Sequence, residues 1–210
     1  MENKKYKLTD ETIEVEGKIL YRIEALKDFG EIKNGDKGGF IESENNLAHE
    51  GDAWVSDDAC VYDNACVYDN ARVCGSASVC GNACVSDNAC VYGSASVRGD
   101  AEISTDADYI VFKNWWSSGR YFTWTRSNNM WSVGCLYCTG EELIKKAYQD
   151  SEKSGREYER VVKYIEEIKK ENEWNTKMDV IFEKFIDGLF SIWEQGIQEK
   201  GKKLTHFRMV

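Results

Sequence analysis

The sequence predicts a mainly β chain: a parallel β-solenoid with an N-terminal cap and a C-terminal α+β module of a three-stranded sheet plus helices. Three observations predict it. Residues 51–110 read as ten six-residue units without a gap, from GDAWVS and DDACVY to GDAEIS and TDADYI. Ala fills the third place of every unit, and Val or Ile fills the fifth until Tyr109. After Asp108 the composition turns aromatic, and after Cys138 the apolar spacing becomes helical.

Within each unit the third and fifth residues point one way and the fourth and sixth the other, which is strand alternation. The first two places hold Gly, Asp, Asn, Ser or once Thr, which are turn formers. Strand and corner at a fixed period make a solenoid. The inward residues are then Ala53 and Val55, Ala59 and Val61, and so on to Ala101 and Ile103. Upstream, residues 1–36 hold two strand-like runs, Thr12–Val15 and Ile19–Ala25, around Glu16-Gly17-Lys18. This is a hairpin signal, and a solenoid needs its open end covered. The six-residue rhythm starts at Lys37, with Ile41 and Leu47 in the aliphatic place, and His49 and Glu50 interrupt it before Gly51.

The pattern resembles the hexapeptide-repeat, left-handed β-helix family, which folds three such units into one triangular coil. The resemblance implies a left-handed parallel β-helix over 37–110, about 19 Å tall at the ~4.8 Å strand spacing. It also implies stacking every eighteen residues: Cys66 over Cys84 and Glu102; Cys60 over Ser78 and Ser96; Trp54, Arg72, Cys90 and Asp108 in one column; Tyr62, Cys80 and Arg98 in another. Enzymes of that family are trimers that acetylate small molecules from acyl-CoA with a catalytic His on or near a protruding loop. This chain departs from the pattern. Its only histidines are His49 and His206, and no long loop interrupts the units.

Charge and cysteines narrow the role. A net charge of −10 argues against direct nucleic-acid binding. No apolar run reaches membrane-spanning length, and MENKKYKLTD lacks the apolar core of a signal peptide. Cys60, Cys66, Cys74, Cys80, Cys84 and Cys90 fall at outward places, where unpaired thiols suit a reducing compartment, so a cytoplasmic location is expected. Cys66 and Cys84 supply half of the four ligands a structural zinc takes, so neither a metal nor a cofactor is expected. The lone Cys135/Cys138 pair points to opposite faces of an extended strand.

Residues 108–138 read as three strands separated by Ser117-Ser118-Gly119 and Ser127-Asn128-Asn129. Arg120, Phe122, Trp124 and Arg126 share one face of the second strand, near Trp115, Trp116, Ser117 and Ser118. Arginines bracketing rings suit a planar anionic ligand, and the same rings also suit a core under the following helices. These eight residues are the candidate binding site.

Helices follow over 139–200. Thr139-Gly140-Glu141-Glu142 is a capping box, Leu143, Ile144, Ala147 and Tyr148 give a first apolar stripe, and Tyr158, Val161, Val162, Ile165 and Ile168 give a second after Ser154-Gly155. Met178, Ile181, Phe182, Phe185, Leu189 and Trp193 belong to a third stripe wide enough to need burial, here assigned to an oligomer interface with a trimer the first choice. A basic tail covers 201–210.

The run DYIVFKNWWSSGRYFTWTRSNNMW, followed by TGEELIKKAY and preceded by DFGEIKNGDKGGFIE and the repeat array, is similar to proteins of phages and prophages. That likeness implies an accessory protein that binds and blocks or sequesters a host component, either a host defence protein or a small anionic nucleotide-like ligand. Three classes therefore compete: a non-catalytic recognition protein, a hexapeptide-repeat acyltransferase, and a purely structural assembly unit.

Overall fold

The computed structural model describes residues 4–171. Contacts divide the chain into residues 1–157 and a second unit from Tyr158 on.

The first unit opens with a hairpin of β1 (Tyr6–Val15) and β2 (Lys18–Ala25), joined through Glu16 and Gly17 at φ 50° and 80°. Two left-handed residues in a two-residue turn match the twist of the paired strands. Strand β3 (Lys37–Ile41) pairs antiparallel with β2 and parallel with the repeat. The repeat then supplies nine two-residue strands: β4 (Trp54–Val55), β5 (Cys60–Val61), β6 (Cys66–Val67), β7 (Arg72–Val73), β8 (Ser78–Val79), β9 (Cys84–Val85), β10 (Cys90–Val91), β11 (Ser96–Val97) and β12 (Glu102–Ile103). They stack in parallel as β3-β5-β8-β11, β4-β7-β10 and β6-β9-β12, a β-solenoid of about four turns. Register is that of an eighteen-residue coil: Cys66 pairs with Cys84, Trp54 with Arg72, and Cys60 with Ser78. Inside, Ala and Val columns from Ala53 to Ile103 are fully buried, with Ile41 and Leu47 completing the first turn and Tyr109 the last.

The corners explain the first-place residues. Gly51, Asp57, Asp63, Asp69, Gly75, Gly81, Asp87, Gly93 and Gly99 all hold φ between 55° and 75°. Asp tolerates that region and adds a bond Gly lacks: Asp57 Oδ2 accepts from Gly75 N at 2.9 Å and Asp63 Oδ2 from Gly81 N at 3.1 Å. One expected position differs. Asp108 leaves its column because residues 106–108 form a 3₁₀ turn capped by Thr105 and Asp108.

A parallel solenoid has unlike ends. Each strand N–H donates to a carbonyl one coil ahead, as Cys60 N does to Ala77 O at 2.9 Å, so carbonyls are left over at the first coil and N–H groups at the last. The first end is closed by donors. Buried Lys5 gives Nζ to Ala53 O at 2.8 Å, and Tyr6 gives its hydroxyl to Leu47 O at 2.7 Å. The last end is closed by acceptors. Cys90 N donates to Asp106 Oδ1 at 2.7 Å, Ser96 N to Thr123 Oγ1 at 2.9 Å and Glu102 N to Ser127 Oγ at 2.8 Å.

The hairpin does more than close an end. Leu20, with Ile13 and Val15, packs on Phe40, Tyr62 and Cys80, across the outer face of the β3-β5-β8-β11 sheet. Glu16 at its tip reaches Arg98 in the fourth coil at 3.0 Å. The expectation that all six repeat cysteines lie beside solvent is therefore corrected. Cys80 is buried, and the other five are half-buried.

These thiols couple stability to pH. Burial and the neighbouring Cys84 sulfur, 2.9 Å away, push the Cys66 thiol up to about 12, and burial with neighbouring Cys74 pushes Cys90 to about 11. In the unfolded chain thiols ionise near 8.5. Above that pH the unfolded state loses protons that the fold keeps, so these groups stabilise the fold below about pH 8.5 and lose that contribution as pH climbs toward 11–12. Lys5 acts oppositely: burial lowers it to about 8, so its contribution rises from there to pH 10.5. Several thiols outweigh one amine. Urea unfolding is expected to show stability falling between pH 9 and 11, with Cys66→Ser reducing the fall by on the order of 1 kcal/mol after allowance for partial exposure. An unchanged slope in Cys66→Ser would remove the thiol explanation.

Beyond the solenoid lies an antiparallel meander of four strands, not three: β13 (Tyr109–Lys113), β14 (Tyr121–Thr125), β15 (Met130–Val133) and β16 (Leu136–Cys138). The run Met130–Cys138 breaks because Gly134 takes φ 59° and turns the chain back, pairing Trp131 with Cys138. Helix α1 (Gly140–Asp150) starts at Thr139, whose hydroxyl accepts from Glu142 N, and packs on β15 with Leu143 and Ala147 buried. The interruption expected at Ser154-Gly155 lies instead at Ser151, whose Oγ accepts from Ser154 N at 3.1 Å and opens a second helix, α2, over 152–171. Gly155 sits in its first turn, against the Tyr148 ring. Tyr158, Val162 and Ile165 are its buried apolar side chains, whereas Val161 and Ile168 of the expected stripe are half-buried. Met178, Ile181, Phe182, Phe185, Leu189 and Trp193, assigned to an oligomer interface, lie outside the described residues, as does the basic tail. No helix among the described residues is long and apolar enough to cross a membrane.

Candidate functional site

The connection between β13 and β14 is the most distinctive surface of the described residues. It is closed by Asn114 N to Arg120 O at 2.8 Å and Gly119 N to Asn114 O at 2.7 Å, with Gly119 at φ 70°. Trp116 turns inward, edge-on to Phe122 at 6.1 Å, and anchors the loop. Its neighbour Trp115 goes the other way and is 72% exposed. A Trp so exposed forgoes much of the burial its ring would otherwise supply.

The loop is also an electrostatic exception. From Tyr109 to Gly140 there is no Asp or Glu, while Lys113, Arg120 and Arg126 all fall there, in a chain of net charge −10. Lys113 Nζ lies 5.4 Å over the Tyr121 ring. Arg126 Nη1 stands 4.0 Å from Asp108 Oδ1, the outer limit of an ion pair. Arg120 is exposed and makes no ion pair among the described residues.

The structure divides the candidate residues in two. Trp115, Ser117, Ser118, Arg120 and Arg126 are exposed, whereas Trp116, Phe122 and Trp124 are buried. Phe122 joins Phe112 at 5.4 Å and Trp131 at 6.0 Å in a ring cluster, and Trp124 Nε1 donates to Asn129 Oδ1 at 3.0 Å. Of the two uses open to these rings, a ligand platform and a core, burial favours the core. The accessible aromatic surface is the loop tip, together with Tyr121 and Tyr92. Strand alternation was the signal for Tyr121, which faces away from Phe122; Tyr92 read only as one more outward place of the repeat.

His49 is not placed as a catalytic base. Its ring stacks on Tyr6 at 4.4 Å, and its Nδ1 accepts from Lys5 N at 3.3 Å. Nε2 is buried, 3.5 Å from Glu44 Oε2, and makes no hydrogen bond among the described residues. With Nδ1 bonded and Nε2 buried, neither ring nitrogen is open to a substrate. Cys135 lies exposed in the turn between β15 and β16, not in an extended strand, and Cys138 is buried on β16. Among the described residues no three His, Cys, Asp or Glu side chains converge to hold an ion.

No protein-family model matches the chain, and no curated protein is significantly similar to it.

Proposed function

We propose that this chain is a non-catalytic recognition protein, in which a rigid solenoid closed at both ends presents the aromatic module to an anionic partner. The observation that carries this reading is Trp115, 72% exposed on a loop that holds cations and no carboxylate in a protein of charge −10. Tryptophan and arginine dominate binding energy where they are presented together, and charge contrast steers an anionic partner to that patch. The eighteen-residue coil and its Ala-x-Val interior support a left-handed coil of the hexapeptide-repeat kind. With the sequence likeness to phage and prophage proteins, the reading becomes a cytoplasmic accessory protein, a homotrimer, that blocks or sequesters a host component. The ends of the solenoid, both covered by the chain itself, count against end-to-end assembly. The bonded Nδ1 and buried Nε2 of His49 count against acyl transfer through that residue.

The test is native mass spectrometry of the protein isolated from a bacterial host, beside Trp115→Ala and Arg120→Ala. Each variant is expected to lose the co-isolated component, at ten- to a hundredfold lower affinity for the arginine change, with an unaltered melting temperature. The same spectra read the oligomer. Equal occupancy in wild type and both variants would sink the reading.

A further inference from the structure

Beside the loop, the last coil and the aromatic sheet leave a cleft of about 510 Å³ lined by Tyr92, Ser94, Asp106, Tyr109, Val111 and Tyr121, among others. We infer that this cleft binds a nucleotide: the base lies against the Tyr92 and Tyr121 rings, its hydrogen-bonding edge meets Asp106 and Ser94, and the phosphate reaches Lys113 beside Tyr121. The inference rests on the recognition reading and names a small ligand for that module.

Four observations converge on it. The volume falls within the range of small-ligand sites. Tyr92 and Tyr121 are 57% and 47% exposed, so two large rings that line the cleft, one from the coil and one from the sheet, are open to stacking. A base offers the planar π-face such rings accept. The polar groups suit a base edge that both donates and accepts. Asp106 uses Oδ1 on Cys90 N and has its second carboxylate oxygen for the amino group of a base. At the same corner, Asp58 N two coils earlier donates to Gly75 O and Ser76 N one coil earlier to Gly93 O; that ladder ends at Ser94, whose N–H has no partner among the described residues. It points along the solenoid axis into the cleft and suits a ring nitrogen or carbonyl. Finally, Lys113, outside the lining itself, holds its ammonium 5.4 Å over the ring of Tyr121, so a positive charge stands beside a lining ring for a phosphate leaving the cleft to meet.

Titration calorimetry of the whole protein with GMP, AMP, CMP and UMP, with guanosine and ribose 5-phosphate as part-ligands, tests it. Nucleotides are expected to bind, guanosine about tenfold more weakly than GMP, and ribose 5-phosphate not measurably. Tyr92→Ala and Tyr121→Ala should each weaken GMP about tenfold. Asp106→Asn keeps an oxygen for Cys90 N but presents an amino group to the ligand, so it should weaken GMP, AMP and CMP more than UMP. No heat with any nucleotide at millimolar concentration would overturn the inference, as would binding indifferent to both tyrosine changes. A Trp115-dependent host partner with no nucleotide binding would sink the nucleotide alone. Nucleotide binding together with Trp115 and Arg120 variants that keep their partner would sink only the loop's role.

Discussion

Trp131→Ala is expected to cost the fold about 3–5 kcal/mol, the range for emptying a large buried aromatic. Trp131 is 2% exposed, lies opposite Trp124 on β14 and Cys138 on β16, and touches the Phe112 and Phe122 rings at 5.9 and 6.0 Å. No single neighbour can collapse into the space, because each is fixed by its own ladder bonds. The effect should spread further than the sheet. Thr123 and Ser127 supply the acceptors for Ser96 N and Glu102 N, so loosening the meander uncovers the last coil. A melting temperature lower by roughly 6–20 °C follows, at 2–4 °C per kcal/mol for a chain of this size. Thermal denaturation checks it. A loss below 1 kcal/mol would show that the ring cluster is not the core of the module.

The second large effect belongs to the solenoid interior. Ala83→Leu places added carbons where Ala65, Ala83 and Ala101 stack one coil apart, all fully buried. Coil spacing is set by hydrogen bonds such as Cys66 N to Ala83 O at 3.0 Å and Cys84 N to Ala101 O at 2.9 Å, so the backbone cannot move apart to make room. Overpacking here is expected to cost about 1–3 kcal/mol. The adjacent change Cys84→Leu, on the half-buried outer face, should cost much less. Denaturant unfolding of the two variants, compared at equal slope, gives the answer; equal losses would mean that inward and outward places are misassigned.

Much of this architecture is legible in the sequence because it is local and repeated. The fixed place of Ala and Val puts each on the inner wall, and Asp or Gly at the first place meets the left-handed corner. Ten repetitions leave no competing register. The capping box at Thr139 is equally local, resting on residues three apart. What the sequence could not settle depends on where a non-repeating segment comes to rest. Cys80 looks like any other outward residue until the hairpin lies over it, a placement held by contacts as distant as Glu16 to Arg98. Lys5 looks like one more lysine of a charged stretch, and only the coil's unpaired carbonyls make it a buried donor. In the aromatic strand, alternation assigns Phe122 and Trp124 to one face but cannot say whether that face meets solvent or other rings. Tertiary packing decided for the rings, and so moved the accessible aromatic surface to Trp115, Tyr121 and Tyr92. Periodicity fixes the direction of a side chain relative to its own backbone; what covers it is a long-range matter, set by which remote segment gains most by burying its apolar face there.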